Sequence, residues 1–172
     1  MGRNVEVKAR LRDAARTREA AERLTGACGL LLEQEDTFFF TPRGRLKLRR
    51  LPDGRSELIT YTRPDAAGPK TSSYEVVPVE DPERMKAALS AALGVRGVVR
   101  KRRTLLLAGR TRIHLDSVEG LGEFLELEVV LREGEDPAEA QAEATLLLET
   151  LGVKPEDLVS GAYLDLLPKE DP

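Results

Sequence analysis

The chain has 172 residues, 41% of them apolar and 33% charged, with a formal net charge of −3. That suffices for one domain with a substantial core, residues 1–172, and gives no global pull toward nucleic acid or an anionic membrane. No apolar run is long enough to span a bilayer, the start MGRNVEVKAR lacks the apolar stretch of a signal peptide, and the single cysteine, Cys28, has no internal disulfide partner. The expectation is a cytoplasmic protein.

Residues 3–11, RNVEVKARL, alternate strictly: Asn4, Glu6, Lys8 and Arg10 on one face, Val5, Val7, Ala9 and Leu11 on the other. Such a period of two predicts a strand. A helix follows from Asp13 to about Ala27, closed by Gly26 and Gly29, with Cys28 expected as a small buried hydrophobe near its end. LLEQEDTFFF, residues 31–40, is the next strand, with Gln34, Asp36, Phe38 and Phe40 on one face. After a turn at Pro42 and Gly44 comes GRLKLRRL, with Arg45, Lys47 and Arg49 on one face. Pro52-Asp53-Gly54 predicts a hairpin, and SELITYTR returns with Glu57, Ile59, Tyr61 and Arg63 aligned. Residues 64–70 read as a loop. SSYEVVPV reads as a fifth strand, with Pro78 at an end or edge.

Asp81-Pro82 opens a helix to about Leu93, with Met85, Ala88, Leu89 and Ala92 as its apolar stripe. VRGVVRKRRTLLL is a long strand in which both faces are basic around residues 100–103, so pattern alone does not orient it. The stretch GRTRIHLDSVEGLGEFLELEVVL divides into two strands about a glycine turn. Arg112, His114 and Asp116 share one charged face, as do Phe124, Glu126 and Glu128. Their antiparallel pairing would bring Asp116 near Glu126 and Glu128, and clustered carboxylates repel unless a cation joins them. On that view, Glu126→Gln or Glu128→Gln should stabilise the metal-free chain. Asp136-Pro137 starts a third helix, and Pro155 a fourth carrying Leu158, Tyr163, Leu166 and Leu167; the tail PKEDP is expected to fray.

Nearly every strand therefore carries one charged face. Either an antiparallel sheet presents it to solvent, or a long sheet curls with the helices outside and the charges inside. A lining dense in Lys and Arg with a few acids suits a polyanion plus a hard divalent cation, the pairing of a phosphate chain with Mg²⁺ or Mn²⁺.

The ordered set NVEVKAR, RLKLR, VVRKRR and RIHLDSVEGLGEFLELE resembles the CYTH superfamily, also called triphosphate tunnel metalloenzymes, along essentially the whole chain. NVEVKAR stands at the ExExK motif. The D-x-x-x-G-L-G-x-F-x-E-x-E spacing and the closing SGAYLDLL are most similar to the class IV adenylate cyclase branch. The resemblance implies an α+β fold: an eight-stranded antiparallel β-barrel tunnel with helices outside. It implies a triphosphate inside, from ATP or an inorganic or organic triphosphate, no nucleic-acid or membrane partner, and a monomer or homodimer. The activity implied is cyclisation of ATP to cyclic AMP and pyrophosphate. Hydrolysis of tripolyphosphate, thiamine triphosphate or nucleoside triphosphates is the alternative, and a nucleotide-binding module without turnover the third reading. Carried over by motif, Glu6, Asp116, Glu126 and Glu128 hold Mg²⁺ or Mn²⁺. Lys8, Arg45, Lys47, Arg63, Lys101, Arg103 and Arg112 bind substrate, and Lys8, Glu126 and Glu128 are catalytic. Arg10 and Arg49 read equally as clamp or solvated positions. His114 reads as structural or as a contact to a leaving phosphate. Asn4 departs from the pattern, standing where the motif has its first glutamate.

Overall fold

The computed structural model describes residues 1–168, so the expectation for the tail falls mostly on residues outside those described. The elements in chain order are β1 (Gly2–Arg10), α1 (Ala14–Thr25), β2 (Leu30–Phe39), β3 (Arg45–Arg50), β4 (Ser56–Thr62), β5 (Lys70–Pro78), α2 (Pro82–Leu93), β6 (Val95–Ala108), β7 (Thr111–Val118), β8 (Gly122–Val130), α3 (Pro137–Thr150) and α4 (Tyr163–Leu166). The eight strands close into an antiparallel barrel in the order β1-β5-β4-β3-β2-β6-β7-β8, with β8 pairing back onto β1. Closure leaves no unpaired sheet edge.

Because strand side chains alternate, β1, β7 and β8 turn their apolar faces outward and their charged faces into the barrel. Val5, Val7, Ile113, Leu125, Leu127 and Val129 form the outer layer and are almost completely enclosed. Two helices cover it. Asp13 caps α1 by accepting from the Arg16 N–H at 3.0 Å, and Gly26 ends it in the left-handed conformation (φ 67°). Asp136 caps α3, which buries Ala140, Ala144 and Leu148 at four-residue spacing. The two alanines let the helix lie close against the wall. Truncating Leu127 to Ala would cost about 2–5 kcal/mol, the usual range for a void in such a core. A second apolar cluster, Phe38, Val99, Val118, Phe124 and Tyr163, fills one end of the barrel and is backed by Leu164, Leu166 and Leu167.

Four local expectations are corrected. Cys28 is exposed, because the chain turns over the surface between Gly26 and Gly29 before entering β2. The single helix expected from Pro155 is instead a one-turn 3-10 segment at Pro155–Asp157, an extended stretch, and the short α4. The intervening Val159 N–H bonds to the Lys8 carbonyl at 2.8 Å, which pins the segment along the barrel and breaks the helix. Phe40 is exposed, since β2 shifts register between Phe38 and Phe39 and ends there. Lys70, expected in a loop, opens β5 opposite Glu6. Among the described residues, no helix is long and apolar enough to cross a membrane.

Candidate active site in the barrel interior

The inward faces enclose a cavity of about 420 Å³. β1 supplies Asn4, Glu6 and Lys8; β8 supplies Glu126 and Glu128; β7 supplies Arg112 and His114; β6 supplies Lys101 and Arg103. Lys47 and Arg49 face them from β3, and Tyr61 from β4, with Arg63 just past its end. The basic run on β6 is thereby oriented: Lys101 and Arg103 are buried, while Arg100 and Arg102 point to solvent.

Glu126, Glu6, Glu128 and Asp36 each have a cation. Lys8 Nζ lies 3.3 Å from Glu126 Oε1, and Arg103 Nη2 donates to Glu126 Oε2 at 2.5 Å. Arg63 Nε is 2.8 Å from Glu6, and Arg112 Nη1 is 3.2 Å from Glu128. Asp36 takes Lys47 at 2.8 Å and both nitrogens of the Arg49 fork at 2.9 and 3.1 Å. Burial alone would disfavour ionised Glu126, yet Lys8 and Arg103 hold its carboxyl well below the ordinary range. Glu6 goes the other way: burial and the Glu126 charge raise it, and Arg63 only partly compensates. Burial, followed by Arg103, lowers Lys101 to about 7 and also lowers His114. The acids are therefore not a bare repulsive cluster. Neutralising Glu126 strips Lys8 of its partner and Arg103 of one of two, which argues against the expected stabilisation on physical grounds.

Two expected site residues sit elsewhere. Asp116 is fully enclosed, receives two hydrogen bonds from Arg103 at 2.7 and 2.6 Å and one from the Tyr163 hydroxyl at 2.8 Å, and does not line the cavity. Asp116 is opposite Phe124 in the register, and His114 takes the position facing Glu126. Asp116 thus orients Arg103 rather than reaching into the cavity with Glu126 and Glu128. Arg45 lies beyond the cavity lining and pairs with Asp65 at 2.8 Å and Asp165 at 3.0 Å, tying the C-terminal segment to the barrel.

Sequence reasoning missed several groups. Asp36 was visible on the inner face of β2, but its grip on Lys47 and Arg49 depends on the β2–β3 register. Lys70 is 5% exposed and lowered to about 8 by burial and Arg63. Tyr163 lines the cavity with its ring 4.1 Å from Lys8 Nζ. The SGAYLDLL resemblance carried that tyrosine without revealing its contacts.

The donor set fits a divalent ion. Ligand atoms of His114, Glu126 and Glu128 lie within 4.8 Å of one another. His114 Nδ1 and Asn4 Oδ1 are buried without a hydrogen-bond partner among the described residues. Buried polar atoms are rarely left unpaired unless something else satisfies them.

Comparison with known proteins agrees with this architecture. A Methanocaldococcus jannaschii protein, MJ0240, whose name provisionally assigns it adenylate cyclase, is 27% identical over 171 residues, covering 94% of this chain and 97% of its own. The structure of PH1012 from Pyrococcus horikoshii OT3 superposes with a TM-score of 0.85 at 27% identity, covering 96% of this chain and 99% of that one. HpAC1 from Hippeastrum, described as a candidate adenylyl cyclase with a dominant triphosphatase activity, shares the fold at a TM-score of 0.62 and 14% identity, covering 92% of this chain and 91% of its own. The CYTH domain model matches residues 2–163, nearly the full length of the barrel and its closing segment, and the chain belongs to the CYTH domain family.

Proposed function

We propose that this chain binds the triphosphate of ATP in its barrel and closes the 3′,5′-cyclic phosphodiester of cyclic AMP, releasing pyrophosphate. The observation that supports this most is the matched lining: buried Lys and Arg side chains, each now held by a carboxylate, surround a cavity in a CYTH domain. The family binds triphosphates such as ATP and uses divalent metals, and its members are of adenylate cyclase or triphosphatase type.

Phosphoryl transfer needs charge neutralisation and alignment more than covalent help. Lys47, Arg49, Lys101 and Arg103 offer point charges and planar forks to phosphate oxygens. Taking those oxygens, they loosen from Asp36 and Glu126, so anion binding frees carboxylate for a cation. Glu126 and Glu128, with Glu6 across the β1–β8 seam, would hold Mg²⁺ or Mn²⁺; when bound, the ion supplies Lewis-acid polarisation of phosphoryl oxygen. Asp116 and Tyr163 fix Arg103, and the apolar cluster behind Tyr163 keeps water from that end. Ring closure joins the 3′-oxygen to the α-phosphorus, breaks the bond from that phosphorus to the oxygen bridging it to the β-phosphorus, and loses the hydroxyl proton to solvent.

Triphosphate hydrolysis is the second reading. It uses the same clamp with water in line at the terminal phosphorus, and it is supported by the triphosphatase activity described for the Hippeastrum protein. Product analysis with ATP and either ion separates the readings. Cyclic AMP with pyrophosphate is expected; orthophosphate alone would establish hydrolysis, and binding without turnover a nucleotide-binding module.

A further inference from the structure

His114 occupies an unusual place in the lining. It stands on β7 directly opposite Glu126 on β8 and diagonal to Glu128. Its side chain is nearly completely enclosed, and its Nδ1 is buried. Nδ1 lies 3.7 Å from Glu126 Oε2 and 3.9 Å from Glu128 Oε1, with no hydrogen-bond partner among the described residues. These separations are too long for hydrogen bonds, which weaken beyond roughly 3.2 Å. They leave room for an ion whose bonds run about 2.0–2.2 Å, after a modest inward movement of each ligand.

The neighbouring strand β1 strengthens the case. Asn4 lines the same cavity where the motif carries a glutamate, and its amide oxygen adds no charge. Glu6, two residues on, is engaged by Arg63 Nε at 2.8 Å. Glu126 and Glu128 share one face of β8, and His114 is the neighbour whose Nδ1 faces both. Arg103 does not hold Glu126 in place against an ion, because it retains two bonds to Asp116 when Glu126 turns away.

We propose that His114 Nδ1 is a direct ligand of the divalent ion together with Glu126 and Glu128, so that the barrel prefers Mn²⁺ to Mg²⁺. The chemistry follows from donor type. Mg²⁺ favours all-oxygen surroundings and parts with water reluctantly, whereas imidazole suits first-row transition ions. The proposal rests on the triphosphate-tunnel reading but goes beyond it, since the fold and clamp would function equally with oxygen ligands alone.

The test exploits composition: the chain has one histidine and tripolyphosphate has no nitrogen. Mn²⁺ is added with inorganic tripolyphosphate, and the bound ion is examined by pulsed paramagnetic resonance. Wild-type protein should show a directly coordinated ¹⁴N, and wild-type protein made with ¹⁵N-histidine should convert that signal to ¹⁵N. His114→Gln should lose it, with Mn²⁺ affinity falling roughly tenfold or more and the preference over Mg²⁺ shrinking. The isotope arm needs no substitution, so a poorly folding variant does not blunt the test. Bound Mn²⁺ without nitrogen coupling in wild type would overturn His114 ligation and leave the tunnel reading standing. No bound Mn²⁺ at saturating tripolyphosphate would overturn both.

Discussion

The two halves of the barrel wall are built differently. The half formed by β6, β7, β8 and β1 has an apolar outer layer pressed under α1 and α3. The half formed by β3, β4 and β5 has no such cover; α2 crosses β2 and β3 without burying a single residue of its own. The metal-type donors follow that line, although cations stand on both sides: Lys8, Lys101, Arg103 and Arg112 share the helix-backed half. Glu6, Glu126, Glu128 and His114 all stand on the helix-backed half, while Lys47, Arg49 and Tyr61 stand on the uncovered one. A metal-type donor set works only within a few tenths of an ångström, so it belongs on a rigid wall. Long cationic side chains reach a flexible anion from a softer wall without losing function.

The comparison is broken most severely at Glu126. Glu126→Gln should lower turnover about 100-fold or more, because it removes ionised oxygen from the donor set. The same change should destabilise the metal-free fold by about 3–5 kcal/mol by leaving buried Lys8 uncompensated and Arg103 with Asp116 alone. Denaturant unfolding alongside the activity assay checks both. A more stable mutant would restore the picture of mutually repelling acids.

On the soft half the loss should appear in binding more than in stability. Lys47→Ala should weaken tripolyphosphate binding by about 1.5–3 kcal/mol, the worth of one charge-assisted contact. Arg49 remains to hold Asp36, so the melting temperature should move less than in Glu126→Gln. A larger stability loss in Lys47→Ala would erase the distinction between the halves.

A pH dependence follows from Lys101, which burial lowers from 10.5 to about 7. Between those values the unfolded chain carries a proton there that the folded chain does not. Stability from this group therefore rises with pH across that window and is flat below it. Relative to Lys101→Met, wild type should gain at most about 1.4 kcal/mol per pH unit from 7 to 9. Unfolding curves whose difference is constant over that range would show Lys101 charged throughout.

The smallest effect is expected at Glu6. Its carboxyl is raised above 4.5 by burial and Glu126, so its ionisation detracts from stability as pH climbs past that value. Glu6→Gln should leave stability at neutral pH unchanged or slightly higher, opposite in sign to Glu126→Gln on the neighbouring strand. A clear loss at pH 7 would mean that its pair with Arg63 dominates.

Much of the wall could be read from alternation alone. RNVEVKARL and GEFLELEVV each show one charged and one apolar face, and those faces became the lining and the outer layer. The Arg100–Arg103 run gave no such reading, because both of its faces are basic and only closure of β6 onto β2 and β7 decides which turns inward. Partner choice was illegible for the same reason. Whether Glu126 faces Asp116 or His114 is a matter of register, and a two-residue shift exchanges them while leaving each strand's alternation unchanged. Lys70 was hidden by the Pro and Gly around it, which mark a loop locally while β1 recruits the lysine into β5. The segment after Pro155 failed because a tertiary bond to β1 outweighed its helical pattern.

Calorimetric titration of inorganic tripolyphosphate, with Mn²⁺ present, into wild type, Lys101→Ala and Arg100→Ala tests the account most directly. The two substitutions are adjacent in sequence and identical in charge, and differ in the face from which the cation is removed. The account predicts one tripolyphosphate per chain, binding weakened roughly tenfold or more by Lys101→Ala and unchanged by Arg100→Ala. Equal losses in the two variants, or none in either, would contradict a triphosphate site inside the barrel.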